Sequence, residues 1–480
     1  MAAILFSPPH GTPATVFTPP PSRPPEETSV SAQDTPQLRQ HLERLAAEGI
    51  DVVRVTYPDL IGTDRARDVL LDHLPAACEH GLAFCRAAYH TSPQGDVVPV
   101  AGGLDAGLPD IAVRPDLDTL VPLPWEPGVA SCLGDVTDPV TGAPAPESPR
   151  DLLRTVLARC DEHGLRPVVG PELEYFLCTA DPESASGWRR YTEASGVVYT
   201  AGLRADPDNH LLRTLRQLRD LGIGVTNGNH EFDGGQFEIN LTHSDAMDAA
   251  DRAFRFKAAV KELARAEGKL ATFMAKPFND AGGSGFHLHL SCQDEEGRNA
   301  FDDPSAPYGL SDTARHAVAG VLTHAPALAA LLNPTVNSYK RFGPDTLAPW
   351  LIDWGLDNRS AMVRVPPERG SGARFELRLG DAGANPYLVI AGTVAAALLG
   401  VLAKEEPPAP LEGYGYDTAK AALLPTTLPA ALDALEADTA LADILGKDFT
   451  ASFLAYKRNE VERFQRHVTD WEFTEYAYHL

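Results

Sequence analysis

Cysteine is scarce in this 480-residue chain, which has six cysteines. No two of them form a Cys-x-x-Cys pair, which disfavours both a disulfide framework and a zinc ribbon, so we expect reduced, packed thiols. Basic residues are also few, because 41 Lys and Arg stand against 66 Asp and Glu, for a formal net charge of -25. Such a charge repels polyanions, so no nucleic-acid partner is expected, and an anionic substrate would need a local group of arginines.

Long apolar runs are missing as well. The longest, around residues 388–402, is rich in Ala and Gly and shorter than the roughly 20 residues that span a bilayer, so it predicts a buried helix and no membrane partner. The N-terminus lacks the basic and apolar regions of a secretory signal, which favours a cytoplasmic protein. A P-loop motif is absent, and no Gly-x-Gly-x-x-Gly joins a strand to a helix.

Composition divides the chain into three parts. Residues 1–35 are rich in proline and poor in aliphatic side chains, which predicts a disordered tail. A Pro-, Gly- and Thr-rich stretch before Pro149 marks a boundary, so we predict a first domain over 36–140 and a second over 141–480. Periodicity predicts helices over 36–48, 149–164 and 245–267, and a strand over 52–57.

Four strand-like runs alternate apolar residues with unusual polar ones. Neighbouring side chains on a strand point to opposite faces, so residues two apart share a face. The shared faces carry Glu172 and Glu174; Gln236, Glu238 and Asn240; His287, His289 and Ser291; and Arg374, Glu376 and Arg378. A solvated outer face would be expected to carry Thr and Lys rather than repeated Glu and His, which favours a functional site.

Several carboxylates on one site repel each other unless they are protonated or bridged by cations. Carboxylate oxygens with an occasional imidazole suit Mg2+ or Mn2+. Arg341, Arg359, Arg364, Arg374 and Arg378 add guanidinium groups that can hold carboxylate and phosphate in bidentate fashion. The residues alone therefore indicate a metal site beside a phosphate and carboxylate site.

These runs resemble the glutamine synthetase superfamily from about Asp51 onward. The matching motifs, in order, are Gly-Pro-Glu172-Leu-Glu174, Glu231 to Gly-Gln-Phe-Glu238, Gly-Ser-Gly-Phe-His287-Leu-His289, Asn337-Ser-Tyr-Lys-Arg341, Asn358-Arg359-Ser to Arg364, and Arg374-Phe-Glu376-Leu-Arg378. The resemblance implies an α+β protein with an N-terminal β-grasp domain. It also implies a catalytic domain whose curved antiparallel sheet forms a funnel, and a homo-oligomeric ring, expected to be a dodecamer.

The resemblance also implies a role for each matching residue. Metal ions would be held by Glu174, Glu231 and Glu238 and by Glu172, His287 and Glu376. Glutamate would be bound by Arg341, Arg378 and Gly283 together with Glu174 and Glu231, and ATP would lie against His289, Ser291, Arg364 and Arg374. Arg359 and Arg364 would act on the transferring phosphoryl group, and Asp59 would serve the amine site of a neighbouring subunit.

The implied reaction is an ATP-dependent ligation of glutamate to an amine through γ-glutamyl phosphate. Three departures favour an organic amine over ammonia. Leu347 stands where ammonia-using members have a glutamate in the flap, although a shift of the loop would let Asp345 supply that charge. Gly282 replaces an asparagine. The interval from Glu231 to Glu238 has the length found in γ-glutamylpolyamine and γ-glutamylmonoamine synthetases. Ammonia-dependent glutamine synthetase and a non-catalytic structural or regulatory member remain alternatives.

Overall fold

The computed structural model describes residues 36–194, 196–344 and 346–480, so the predicted tail over 1–35 and Asp345 lie outside the described residues. The strands are β1 (Val52–Pro58), β2 (Asp64–Leu70), β3 (Leu82–Cys85), β4 (Asp110–Pro122), β5 (Val129–Thr137), β6 (Arg166–Ala180), β7 (Trp188–Arg190), β8 (Val225–His230), β9 (Gln236–Leu241), β10 (Ser244–Asp245), β11 (Leu270–Thr272), β12 (Phe286–Gln293), β13 (Trp354–Leu356), β14 (Val363–Val365) and β15 (Phe375–Leu377). The helices are α1 (Pro36–Ala47), α2 (Leu74–His80), α3 (Pro149–Asp161), α4 (His210–Asp220), α5 (Ala246–Ala266), α6 (Asp312–Thr323), α7 (Ala325–Leu332), α8 (Pro386–Ala403), α9 (Leu428–Ala437), α10 (Thr439–Leu445), α11 (Lys447–Gln465) and α12 (Asp470–Tyr476).

The N-terminal part of the described chain forms a five-stranded sheet in the order β2-β1-β5-β4-β3. Strand β1 runs parallel to β5, and the other pairs are antiparallel. Apolar and β-branched residues favour this arrangement, since Val53, Val55 and Tyr57 of β1 are fully buried. They belong to a core cluster that also includes Leu45 of α1 and Leu74 of α2.

The second sheet has ten strands, and its main path is β13-β14-β15-β12-β6-β9-β8. The 15-residue β6 is its axis, because β7, β9, β10, β11 and β12 all pair with it in antiparallel fashion. The expectation of a purely antiparallel sheet is wrong at one edge, where β13 runs parallel to β14. Residues 357–362 lead from the end of β13 back to the start of β14, so the two strands run in the same direction.

Helix α8 is the apolar segment predicted to be a buried helix, and the structure confirms this. By length and composition it could cross a membrane, but 78% of it is buried inside the protein. Asn385 begins the helix by accepting the N–H of Tyr387, and Pro386 occupies the first turn, where its missing N–H costs nothing.

A buried arginine joins the two sheets. Arg150 on α3 donates to Asp116 at 2.7 Å and to Asp135 at 2.6 Å, both on the first sheet. It also donates twice to Asp251 on α5, at 3.0 and 2.9 Å, and the hydroxyl of Tyr387 on α8 donates to the same carboxylate. Because a buried guanidinium is costly without such partners, this network fixes the first sheet against the helices of the second.

Candidate active site

Three predicted metal ligands meet at the centre of the second sheet because of its register. Glu172 on β6 lies opposite His287 on β12, and Glu376 lies on β15, the next strand. The Nδ1 of His287 is 2.8 Å from one oxygen of Glu172 and 3.9 Å from one oxygen of Glu376. One ligand atom from each residue lies within 4.8 Å of the other two. This spacing and donor set suit one divalent cation of the Mg2+ or Mn2+ kind.

Buried neighbours tune the carboxylates of this triad. Burial alone would raise the pKa of Glu172, but hydrogen bonds with His287 and His289 hold that pKa well below its usual range. Burial acts the same way on Glu376, whereas the charges of Arg378, His287 and His289 lower its pKa to about 2. Both carboxylates are therefore ionised at neutral pH, which is the form that binds a cation.

The other predicted ligands, Glu174, Glu231 and Glu238, lie on or beside neighbouring strands. Glu174 lies opposite Glu238 in the β6–β9 register, and its Oε2 accepts hydrogen bonds from Gln236 at 3.0 Å and from the N–H of Gly285 at 2.8 Å. Burial and then the charge of Glu174 raise the pKa of Glu231 to about 7. Burial and the neighbouring carboxylates also raise the pKa of Glu238. Within the described residues these three converge less closely than the triad, and a bound cation would relieve their repulsion.

The glycine loop before β12 lets an arginine approach Glu174. Arg341 is only 5% exposed, and its Nη1 donates to the carbonyl of Leu379 at 3.3 Å. A Cβ at Gly283 would lie 2.5 Å from Cγ of Arg341, and a Cβ at Gly285 would lie 3.1 Å from both its Nη2 and an oxygen of Glu174. The absence of side chains at both glycines is therefore required by the position of Arg341.

Two more predicted arginines contact a ligand of the triad. Arg364 donates to one oxygen of Glu376 at 2.6 Å, and Arg378 donates to the other oxygen. Arg364 also pairs with Asp357 at 2.7 Å. Arg359 lies on the preceding turn with its side chain exposed. Cationic groups thus border the proposed metal ligands on the β14–β15 side.

A cavity of about 1040 Å3 lies on the same side of the sheet as the triad. Glu172, His289, Ser291 and Arg374 all line it. Nε of Arg374 donates to Nδ1 of His289 at 3.2 Å, and the hydroxyl of Ser291 donates to the carbonyl of Ala373 at 2.8 Å. The volume is at the upper end of the range for small-molecule sites, so a nucleotide-sized ligand fits beside the triad.

Asp59 is placed apart from these residues. Its carboxylate is fully buried, accepts the N–H groups of Ile61 and Thr63, and pairs with Arg65 at 2.8 Å. Burial raises the pKa of Asp59 to about 6. In the described part of the chain, none of its contacts reaches the six predicted ligands. Its role at an amine site therefore stays a prediction about a neighbouring subunit.

Leu347 and Gly282, the two positions that depart from the family that the chain resembles, both lie in loops beside the site. Leu347 has a φ of 62°, in the left-handed region, and its side chain is 49% exposed. The N–H of Gly282 donates to Asp233, and a Cβ at Gly282 would lie 2.9 Å from that carboxylate oxygen. A larger residue at position 282 would therefore displace Asp233.

Two side chains at the site were not predicted from the sequence. Asn229 on β8 lies opposite Glu238 and donates to Glu231 at 2.8 Å. Tyr199 is 71% exposed as a whole residue. The partial burial of its phenol, followed by the charges of Glu231 and Glu238, raises the pKa of that phenol. Alternation along β8 could have identified Asn229, but Tyr199 lies in an irregular segment with no such signal.

Known proteins that are similar to this chain identify its family. The family model described as glutamine synthetase, catalytic domain, matches residues 146–476. A glutamine synthetase of Halobacterium salinarum is 34% identical over 465 residues, which cover 93% of this chain and 98% of the relative. A γ-glutamylethanolamide synthetase of Streptomyces coelicolor is 36% identical over 453 residues, covering 92% of this chain and 96% of the relative.

A solved structure gives the same result. The protein GmaS in complex with ADP is similar to this chain with a TM-score of 0.80 and 34% sequence identity. The similarity covers 91% of this chain and 99% of GmaS. Because the family match spans more than half of the chain and these relatives are covered almost completely, the chain belongs to the glutamine synthetase family of carbon–nitrogen ligases.

Proposed function

We propose that this enzyme joins the side-chain carboxylate of glutamate to an organic amine in an ATP-dependent reaction through γ-glutamyl phosphate. The observation that carries the proposal is the convergence of Glu172, His287 and Glu376 beside a cavity of about 1040 Å3. A carboxylate is a poor electrophile until its oxygen becomes part of a leaving group, and ATP supplies that activation. The chain's own contribution is to position the reactants and to neutralise charge.

Two divalent cations, Mg2+ or Mn2+, would occupy the carboxylate cluster. Glu172, His287 and Glu376 would hold one, and Glu174, Glu231 and Glu238 the other. The fit rests on the donor chemistry, which is carboxylate oxygen with one imidazole, and on the burial and mutual repulsion that together raise the pKa of Glu231 and of Glu238.

Glutamate would lie between the glycine loop and the guanidinium groups of Arg341 and Arg378. Gly283 supports this because its backbone packs directly against Arg341, where a side chain would collide with the arginine. The nucleotide would lie in the large cavity against His289, Ser291 and Arg374, which line it, and would extend to Arg364, which contacts Glu376 outside the described lining. Arg359 and Arg364 would stabilise the phosphoryl group during transfer, since fixed guanidinium donors match phosphate oxygens.

The preference for an organic amine is supported by the departures at Leu347 and Gly282 and by relatives of this chain. A leucine in the flap supplies no counter-charge for ammonium and leaves apolar surface beside an amine substituent. One similar protein is named a γ-glutamylethanolamide synthetase, and another is GmaS. Ammonia-dependent glutamine synthesis is the second candidate, favoured by the several similar proteins that carry that name.

A phosphate-release screen tests this proposal. Purified protein with glutamate, ATP and Mg2+ would be offered ammonia, monoamines, polyamines and aromatic amines, with the amide product identified by mass spectrometry. We expect organic amines to give the higher kcat/KM. Turnover with ammonium alone would favour the second candidate, and metal binding without phosphate release for any amine would favour a non-catalytic role.

The flap gives a matched pair of variants for the same screen. Leu347→Glu supplies a carboxylate near the incoming amine, whereas Leu347→Gln has nearly the same size without the charge. We expect Leu347→Glu to raise the ratio of kcat/KM for ammonia to that for the best organic amine by about tenfold, or 1.4 kcal/mol, and Leu347→Gln to leave it near the wild-type value. Equal behaviour of the two variants would remove the flap argument.

We also propose how the chain is organised around this reaction. The five-stranded sheet with its parallel β1–β5 pair would form a β-grasp domain over 36–140, and residues 141–480 would form the catalytic domain. The protein would act in the cytoplasm as a homo-oligomeric ring, with a dodecamer expected. Asp59 would then serve the amine site of the adjacent subunit, after its pairing with Arg65 rearranges.

Exposed apolar side chains at the C-terminus support assembly. Val468, Trp471, Phe473, Tyr478 and Leu480 are all at least 63% exposed in the single chain. Several exposed apolar side chains within one short segment commonly mark a protein–protein contact.

A further inference from the structure

A second, smaller cavity lies beside the edge strand of the large sheet. Its volume is about 270 Å3, and it follows β8 and the segment that precedes α4. Tyr199, Ala201, Leu212, Asn229 and Phe237 are among its lining residues. The N–H of Tyr199 donates to the carbonyl of His230 at 3.0 Å, which holds this segment against the edge of β8.

The cavity lies beside Glu231 and Glu238, which belong to the second set of predicted metal ligands. Asn229 lines it and also donates to Glu231 at 2.8 Å, while lying opposite Glu238 in the β8–β9 register. Tyr199 lines it as well, and its phenol is close enough to the same two carboxylates and to Arg359 for their charges to act on its pKa. Asn229 therefore connects one end of the cavity to Glu231, one of the proposed metal ligands.

The lining chemistry restricts what could bind there. Among the described residues that line the cavity there is no Lys or Arg, whereas Ala201, Leu211, Leu212 and Phe237 provide apolar surface. Asp206 contributes the lining's only carboxylate, and its oxygens already accept the N–H groups of its neighbours at 210 and 211 and the hydroxyl of a tyrosine. Apart from the imidazole of the buried His230, the described lining offers an anionic substituent no basic group, but an aliphatic chain, neutral or ending in a cation, would be accommodated.

The cavity volume is large enough for a short aliphatic chain. At roughly 30 Å3 for each water in the liquid, about nine waters would fill it. Ammonia would leave this space unused, whereas an amine with a short aliphatic chain would displace several waters and bury apolar surface.

We propose that this cavity beside β8 holds the substituent of the amine substrate and selects short aliphatic amines that are neutral or cationic at the far end. The inference rests on the proposed function, because it assigns the substituent-binding part of the same site. It makes Ala201 and Leu212 specificity-determining residues, since both line the cavity and are exposed at its rim.

Two rim variants and one control test the proposal. Ala201→Phe adds volume at the rim, and Leu212→Arg adds a cation that repels diamines. Leu203→Arg is the control, because Leu203 is 61% exposed in the same segment but does not line the cavity. Each protein would be assayed for kcat/KM with methylamine, butylamine, 1,4-diaminobutane and the size-matched anionic 4-aminobutyrate, and its particle size would be checked by light scattering.

In the wild-type enzyme we expect butylamine and 1,4-diaminobutane to exceed 4-aminobutyrate by at least tenfold in kcat/KM. Ala201→Phe should lower the butylamine-to-methylamine ratio about tenfold, and Leu212→Arg should lower the 1,4-diaminobutane-to-butylamine ratio to a similar extent. Leu203→Arg should change neither ratio. Both rim variants carry the test, so failure of one to fold leaves the other.

Two results would separate this inference from the proposed function. If organic amines are used but neither rim variant changes a ratio, the substituent binds elsewhere. If both variants only alter particle size, the cavity is covered by another subunit. Either result overturns this inference and leaves the proposed function standing. If ammonium alone is used by the wild-type enzyme, the proposed function itself fails.

Discussion

Glu376 links the proposed metal ligands to two arginines. It lies in the triad with Glu172 and His287, and both of its oxygens accept arginine donors, from Arg364 and Arg378. One carboxylate therefore connects the metal ligands with the cationic side of the site. A change at this residue should affect metal binding and the position of both guanidinium groups.

Glu376→Gln keeps the size of this side chain and removes its charge. We expect the affinity for Mn2+ to fall by at least about tenfold, because one anionic ligand is lost and two arginines are left with a neutral partner. Titration calorimetry with Mn2+ in the absence of ATP measures this directly. Glu436→Gln is the matched control, since Glu436 pairs with Arg458 at the surface. Unchanged Mn2+ affinity in Glu376→Gln would remove it from the ligand set.

Asp353 gives a stability prediction that depends on pH. It is 5% exposed, its Oδ1 accepts the N–H of Met362, and its Oδ2 has no hydrogen-bond partner among the described residues. Burial raises its pKa from 3.8 to about 6. Between these values the unfolded carboxyl loses its proton while the folded one keeps it, so the free energy of unfolding falls as pH rises through this window.

Asp353→Asn removes that dependence while keeping an oxygen for Met362. We expect the free energy of unfolding of the variant, minus that of the wild type, to increase by about 1–3 kcal/mol between pH 4 and pH 8. Urea unfolding at several pH values and fixed protein concentration measures the difference. A difference that stays constant with pH would show that Asp353 is ionised in the folded protein well below pH 6.

The glycine loop acts at the scale of one element, because its backbone occupies space that side chains would fill. A Cβ at Gly283 would lie 2.7 Å from the carbonyl of Ala275 and even closer to Arg341. Gly283→Ala should therefore displace Arg341 and raise the KM for glutamate by about tenfold, with a smaller effect on the KM for ATP.

Steady-state kinetics with glutamate and ATP varied separately measures this split. Gly343→Ala is the control, because a Cβ there would meet its nearest neighbour at an ordinary 3.4 Å. A parallel rise of both KM values in Gly283→Ala would indicate a general loss of structure rather than a displaced arginine.

Regular elements were well predicted from the sequence where the residue pattern was long. The predicted helices over 36–48, 149–164 and 245–267 correspond to α1, α3 and α5, and the predicted strand over 52–57 corresponds to β1. Period-two alternation also identified the faces of β6, β9, β12 and β15, so a metal site among carboxylates could be expected from residue types, whereas the grouping of Glu172, His287 and Glu376 came from the resemblance. The three-residue strands β13 and β14 and their parallel pairing could not, because short segments carry no periodicity and depend on tertiary contacts.

At the scale of the whole molecule, the pairing of distant elements was beyond a single sequence. Tyr199 approaches the edge of β8 through a contact between separate segments, in which its N–H donates to the carbonyl of His230. The Arg150 network, which joins strands β4 and β5 to helices α5 and α8, has no sequence signal either. In this network Arg150 contacts Asp251, which is 101 positions away along the chain, and Asp251 contacts Tyr387, which is 136 positions away.

The C-terminal segment provides the prediction for the assembled protein. Helix α12 has only seven residues and none of them is buried, although Thr469 and Glu472 form a capping box at its start. A helix this short is marginal by itself, and its exposed Trp471 and Phe473 offer apolar area that a second copy could bury. Deleting residues 470–480 should therefore give a smaller particle than the full chain in size-exclusion chromatography with light scattering.

Val140→Asp, which changes an apolar residue that is 91% exposed elsewhere, should leave the particle size unchanged. A truncated protein of full assembled size would show that other surfaces hold the subunits together, and a monomeric full-length protein would overturn the proposed ring.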